Sequence, residues 1–330
     1  MSPKTLKHSD YTIGWICALP KEMTAAIAML DERHESLPAV SGDDNDYQLG
    51  EINGLNIIVA CLPIGELGPP SAAKVATRIP FSFPNVKFGL MVGIGGGAPS
   101  TTHDVRLGDI VVGIPMDTYG GVIQYDFGKT VQEGKFKRTS MLNSPPDNLL
   151  AAVARLKARH DLDGSNVPKY LDEALSKFPR LKSTSSHPGL EADVLYKHNY
   201  DHPVGTRDCS SCNGSKAVFR KQRASTEPEI FYGTIASASQ VMKDGQTREK
   251  LRKEYDVLCF EMEAAGLGSF PNLVIRGICD YADSHKNKRW QEYAAAVAAA
   301  VPRKGQIKRR YELKHQVKSP PASRPIKHGQ

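Results

Sequence analysis

Residues 11–19, YTIGWICAL, are apolar almost throughout, which predicts a strand buried on both faces. Pro20 then opens PKEMTAAIAML, whose apolar positions recur at helical spacing. Residues 46–63 divide into two strands around Asn53-Gly54, a dipeptide suited to a tight hairpin. Residues 71–79 read as a helix and 86–97 as a buried strand running into a glycine loop. A strand at 106–116 and a helix at 146–158 follow. Residues 159–229 are polar and irregular. The alternation then resumes with a strand at 231–242, a helix at 247–255 and strands at 256–263 and 273–283. A helix at 289–303 closes the pattern. Strands alternating with helices predict an α/β fold: one three-layer α/β/α domain around a mixed, mainly parallel sheet. We place that domain at residues 8–302, with 160–229 as an insertion and 303–330 as a tail.

Charge changes the picture once it is located. The chain of 330 residues carries +7, which on its own suggests nucleic acid. Residues 303–330 hold nine Lys/Arg against one acid, Glu312, so the remainder sums to about −1. The basic character belongs to the tail, which reads as a largely disordered, solvated linker. An anionic partner or nuclear targeting is the alternative reading of that tail. A nucleic-acid function for the body is therefore not expected. The N-terminus lacks a signal-peptide core and no apolar run reaches membrane-spanning length, so a cytoplasmic protein is expected, or a nuclear one through the tail. Cys17, Cys61, Cys259 and Cys279 sit singly in apolar segments, as free thiols do, and no structural disulfide is expected.

The candidate chemistry begins at FEMEAAG, residues 260–266. In an extended segment Glu261 and Glu263 point to one side, and like charges so placed raise each other's proton affinity. A polar group must sit opposite them. VGIGGGA, residues 92–98, formally matches a dinucleotide-binding glycine pattern. That pattern needs a helix directly after the loop, and here a loop and a strand follow. Two readings remain: the N–H groups of Gly95 to Gly97 face a small polar ligand, or the glycines form a structural turn.

Four ordered segments resemble the purine nucleoside phosphorylase and nucleosidase superfamily, in particular its methylthioadenosine/S-adenosylhomocysteine nucleosidase branch. They also resemble nucleosidase-like domains of fungal multidomain proteins carrying NACHT, ankyrin or tetratricopeptide regions. The segments are IGWICALPKEM (13–23), VGIGGGAPS (92–100), FEMEAAG (260–266) and RGICDYAD (276–283). The resemblance implies that Glu22 orients the attacking water and that Gly95 and Gly96 line the ribose site. It implies that Met262 and Glu263 hold the ribose, with Glu261 as their neighbour, and that Asp280 meets N7 of the leaving purine. It also places Ser239, Gln240 and Val241 along the base, and Trp290 as its stacking wall. Ile94 stands where the family has Ser, which removes a hydroxyl donor for phosphate.

These residue types suit the chemistry. An N-ribosidic bond breaks through a cationic sugar, so carboxylates near the ribose stabilise it and an acid must protonate the base. The expected activity is hydrolysis of a purine, first of all adenine, nucleoside or nucleotide, ATP among the candidates, without a cofactor. An immune-effector role in a fungus fits the multidomain resemblance. Phosphate-dependent phosphorolysis and a non-catalytic nucleoside sensor are the alternatives, and family relatives imply a homo-oligomer. Within the insertion, Arg220, Lys221 and Arg223 are candidate contacts for a 5′-phosphate. His198, His202, Cys209 and Cys212 have ligand types that suit zinc in an uncommon spacing. Unmetallated loop thiols are the plainer reading.

Overall fold

The computed structural model describes residues 6–206, 208–268 and 270–303. Strand β1 (Ile13–Cys17) is buried at every position, as its unbroken apolar run requires. It leads into α1 (Pro20–Ala28), with Pro20 at the first helical position. A two-residue edge strand, β2 (Glu32–Arg33), precedes the hairpin of β3 (Tyr47–Ile52) and β4 (Leu55–Cys61). Asn53 and Gly54 both have positive φ, the conformation a two-residue hairpin turn needs. Helix α2 (Pro69–Ser82) then leads to β5 (Phe88–Gly97), β6 (Ile110–Gly113) and β7 (Val122–Gln124).

A small hairpin, β8 (Gly128–Thr130) with β9 (Phe136–Arg138), stands outside the main sheet. The region expected to be irregular is partly helical: α3 (Asp147–Asp163), α4 (Val167–Lys177) and the short α5 (Lys182–Ser185). Its apolar residues Tyr170, Leu171, Ala174 and Leu175 are buried in the common core, and α4 packs on the last helix. The chain finishes with β10 (Ile230–Ser237), α6 (Gly245–Tyr255), β11 (Val257–Glu261), β12 (Asn272–Asp280) and α7 (Gln291–Ala300). The tail from Lys304 onward lies outside the described residues. Arg303, assigned above to that tail, instead pairs with Asp31 at 3.2 Å and Glu173 at 3.3 Å, because two carboxylates meet the end of α7 there.

The main sheet runs β11-β10-β6-β12-β5-β1-β4-β3-β2, with β7 beside β10 and a further pairing of β11 with β5. Parallel pairs form its middle, and β6 with β12, β3 with β4, β2 with β3 and β11 with β5 are antiparallel. The glycine segment is strand rather than loop: Gly95 to Gly97 continue β5 and pair with β12 and β11. Glycine is needed because three strands converge there. A Cβ on Gly95 would lie 2.5 Å from Cys259 Sγ, and one on Gly96 2.7 Å from Asp280 Oδ1. On one face of the sheet Gly277 leaves room for the backbone of α7 at Ala294. Gly89, on the opposite parity of the paired strands, is covered by Phe270.

All six cysteines are free, and Cys17, Cys259 and Cys279 are buried. Among the described residues no helix is long and apolar enough to cross a membrane. Overpacking of the β12–α7 contact is expected to cost about 1–3 kcal/mol in Gly277→Ala, since the new methyl meets backbone that cannot rotate away. Gly214→Ala, facing open space, should stay within about 0.5 kcal/mol of the parent. Urea unfolding midpoints of the two variants measure this, and equal midpoints would contradict the packing account.

Candidate active site

The ends of β1, β5, β11 and β12 surround a cavity of about 350 Å³, a volume suited to a small organic ligand. Glu22, Gly95, Gly96, Gln240, Val241, Glu261, Met262, Glu263 and Asp280 all line it. Sequence-distant segments therefore meet at one place, and the reason is local in each case.

Glu22 lies in the first turn of α1, where an acid is favoured by the helix dipole and can cap the helix. It does cap: Oε2 accepts from the N–H of Ala18 at 2.7 Å and of Leu19 at 3.0 Å. It also does more, since Oε1 accepts from Ile94 N–H of β5 at 2.8 Å and the side chain is buried. A carboxylate has about four acceptor sites, so three backbone donors leave one for a ligand. Burial raises its proton affinity, against the pull of Arg276 and of the three N–H groups.

The polar group expected opposite FEMEAAG is Arg276 of β12, which is completely buried. It was within a quoted segment, but nothing in its spacing marked it. One guanidinium nitrogen forms a short ion pair with Glu261 and lies 3.6 Å from Glu263 Oε2. Oε2 of Glu261 is committed: it accepts from the N–H of Glu263 and Ala264, both at 3.0 Å, besides Arg276, while Oε1 has only a longer contact from Ala264 N–H at 3.2 Å. Glu261 thereby positions the turn. Glu263 does not continue the strand. It precedes a short 3-10 turn (Ala264–Leu267), so the two acids do not lie on one extended strand, although both approach the same nitrogen of Arg276. Burial pushes Glu263 up to about 7, with Arg276 opposing and Glu261 and Glu22 adding to the rise. Nε and Nη1 of Arg276 have no hydrogen-bond partner among the described residues. Nη1 and Glu22 Oε1 flank Gly93, where a methyl group would collide with both.

Asp280 ends β12, where the register slips between Ile278 and Asp280. Such a bulge re-aims the following side chain, here toward the cavity. Oδ1 accepts from Ala282 N–H at 2.9 Å, and Oδ2 lies 3.0 Å from Lys286 Nζ. Burial pulls the Lys286 ammonium down, but the charge and hydrogen bond of Asp280, with smaller contributions from Cys279 and Cys259, together outweigh it and the net shift is upward. Lys286 was not anticipated; it follows the motif by several residues, and no short pattern joins it to Asp280.

Several expectations are corrected. Trp290 does not line the cavity: it is 1% exposed, its Nε1–H donates to Ala192 O at 3.2 Å, and it packs edge-on against His187 and Tyr293. The aromatic that does line the cavity is Phe260. Ser239 lies outside the lining, exposed, with its N–H donating to Asp126 Oδ2 at 2.8 Å. Arg220, Lys221 and Arg223 do not reach the cavity either. Arg220 pairs with Asp193 at 3.0 Å and Arg223 with Asp109 at 2.7 Å, so acids brought in by the fold neutralise them. Lys221 is exposed elsewhere, and the cavity's own cations are Lys21, Lys286 and Lys288. Of the four zinc candidates, His202, Cys209 and Cys212 come together and His198 does not.

Residues 12–311 match the family model of the phosphorylase superfamily. The chain is 46% identical over 298 residues to a nucleotide-binding leucine-rich repeat (NLR)-like protein of Hyaloscypha variabilis, covering 90% of this chain and 29% of that one. It therefore spans under a third of that relative's length. A 5′-methylthioadenosine/S-adenosylhomocysteine nucleosidase of Mycobacterium tuberculosis is 23% identical over 310 residues, covering 88% of this chain and 94% of that one. Among solved structures, the futalosine hydrolase of Helicobacter pylori superposes with a TM-score of 0.56 at 18% identity, covering 90% of this chain and 97% of that one. The methylthioadenosine/S-adenosylhomocysteine nucleosidase of the same organism gives 0.54 at 17%, covering 89% and 97%. At these identities the structures bear on the fold.

Removing the Arg276 charge leaves Glu261 and Glu263 buried without their partner. Arg276→Met should cost about 3–5 kcal/mol near pH 8, the usual scale for a broken buried pair. Without the guanidinium the folded-state Glu263 carboxyl group titrates higher still, so the deficit grows as pH rises and shrinks toward about pH 5. Urea midpoints at both pH values check this, and a variant as stable as the parent near pH 8 would contradict it.

Proposed function

The chain belongs to the phosphorylase superfamily, and from its cavity we propose that it hydrolyses the N-ribosidic bond of a purine nucleoside. The observation that carries this reading is the charge at one end of the cavity. Glu22, Glu261 and Glu263 surround a single Arg276, so carboxyl groups outnumber cations there. Such a site favours a sugar that becomes cationic and disfavours a phosphate dianion. It therefore supports water as the nucleophile.

The proposed step balances as follows. The C1′–N9 bond of the nucleoside breaks while a water oxygen bonds to C1′. Glu22, through its one open acceptor site, takes a proton from that water. Asp280, protonated from solvent before the bond breaks, gives that proton to N7 so that the base departs neutral; the resulting carboxylate pairs with Lys286, and Glu22 returns the water's proton to solvent. Glu263 accepts from the ribose hydroxyls, with Met262 as an adaptable wall. The base lies against Phe260 and Val241, with Gln240 at its polar edge. Gln240 offers both a donor and an acceptor, so it does not select between 6-amino and 6-oxo purines. Adenine is the first candidate because the named substrates of the nucleosidase relative share it.

A second reading, a 5′-phosphorylated substrate such as ATP, is favoured by Lys288. This lysine lines the cavity and is exposed to solvent. The kinship with an NLR-like protein supports an effector role for this unit within a larger chain.

Asp280→Asn and Glu22→Gln are each expected to lower base release by about two orders of magnitude or more. Adenosine, inosine, methylthioadenosine, AMP and ATP, each assayed with and without phosphate, define the substrate, and near-normal turnover in either variant would remove that residue from the mechanism. Lys288→Ala should weaken turnover of the phosphorylated substrates alone. With Glu263 titrating near 7, kcat/KM should fall as pH drops through that value, because the carboxylate needed by the cationic sugar becomes neutral. A profile flat from about pH 5 to 8 would contradict the role of Glu263.

A further inference from the structure

A second cluster forms where the insertion meets the loop after β12. One ligand atom each from His202, Cys209 and Cys212 lies within 4.8 Å of the others. A 3-10 turn at Cys209–Ser211 brings the two cysteines together, with Cys212 N–H donating to Cys209 O at 3.1 Å and Asp208 capping the turn. His202 Nε2 lies 2.9 Å from Asp208 O and Nδ1 3.2 Å from Pro203 O; the shorter contact places the proton on Nε2, which leaves Nδ1 as the nitrogen able to bind an ion. The nearby Thr206 hydroxyl gives its proton to Pro203 O at 2.9 Å and makes no strong claim on that nitrogen.

His285 supplies an independent observation. It is 8% exposed, and neither ring nitrogen has a hydrogen-bond partner among the described residues. Buried imidazole nitrogens are rarely left so, because the desolvation goes uncompensated. Its ring centroid lies 5.5 Å from that of His202, nearly perpendicular at 73°. Two imidazoles on one tetrahedral zinc, with Zn–N of about 2.0–2.1 Å, place their centroids about 5 Å apart. Behind His285, Asp283 Oδ1 lies 3.6 Å from Nδ1, and Asp283 is itself 3.5 Å from Arg248. A carboxylate behind a ligating histidine is the arrangement that fixes its orientation. A cavity of about 530 Å³, lined by Cys209, Asp283 and His285, gives an ion access.

We propose that His202, Cys209, Cys212 and His285 form a structural zinc site that pins the insertion to the loop carrying Lys286. Two thiolates with two imidazoles suit zinc better than magnesium or calcium, which take oxygen ligands. The contacts already present run the same way. His202 N–H donates to Ser284 Oγ at 2.9 Å, and Cys209 Sγ lies 3.7 Å from His285 O. The ion would thus brace the segment that places Lys286 beside Asp280, without entering the reaction.

Protein purified without chelator from zinc-supplemented cells should contain about one zinc per chain by elemental analysis. Replacing the ion with cobalt should give thiolate-to-cobalt charge-transfer absorption and the intense visible bands of a tetrahedral site. Cys212→Ser and His285→Ala should each lower zinc content several-fold, whereas His198→Ala should leave it unchanged. If those variants fail to fold, the cobalt spectrum of the unsubstituted protein decides. Zinc below about a tenth of an equivalent together with no thiolate–cobalt absorption would overturn the proposal. So would a Cys209–Cys212 disulfide found by mass in freshly purified protein. Full zinc in His285→Ala would remove His285 as a ligand.

Discussion

One buried guanidinium organises this molecule's chemistry. Arg276, completely buried, faces Glu261, Glu263 and Glu22, which line the cavity at the ends of the central strands. A buried cation with so many acids is costly unless geometry repays its desolvation. Glu261 repays much of it, and in doing so fixes the turn that carries Glu263. In the proposed reaction the carboxyl groups of Glu22 and Glu263 are the ones that would face an oxocarbenium-like sugar.

The backbone serves that arrangement. Glycines at 93, 95 and 96 let β5 approach Glu22, Arg276, Cys259 and Asp280 more closely than any side chain would allow. The register slip near the end of β12 accompanies the placement of Asp280 in the cavity lining. Asp280 and Glu22 are thus carried by different elements, β12 and α1. The insertion, far from being an appendage, buries Trp290 with its segment around Ala192 and supplies the acid that occupies Arg220.

The elements with strong local signals were readable from the sequence. Apolar runs marked β1, β5 and β12, and Asn53-Gly54 marked its hairpin because only a few residues tolerate that turn. Glu22, Met262, Glu263 and Asp280 were legible through motifs, and all four line the cavity. What failed depended on tertiary context. The glycine run read as a loop, because crowding by two neighbouring strands, β11 and β12, leaves no trace in one segment. Trp290 read as a stacking wall, because a segment distant in sequence covers it. The basic residues of the insertion looked free, because their acidic partners at 109 and 193 lie far along the chain. Arg276 and Lys286 were passed over for the same reason: each has a role only through a partner folded against it.

The central claim is that the acidic cluster directs water, and not phosphate, to the anomeric carbon. Turnover in heavy-oxygen water with phosphate present tests it most directly, with the sugar product read by mass spectrometry. The account predicts free ribose, or its 5′-substituted form, carrying one solvent oxygen, at a rate that added phosphate does not increase. Sugar 1-phosphate without the solvent label would contradict it.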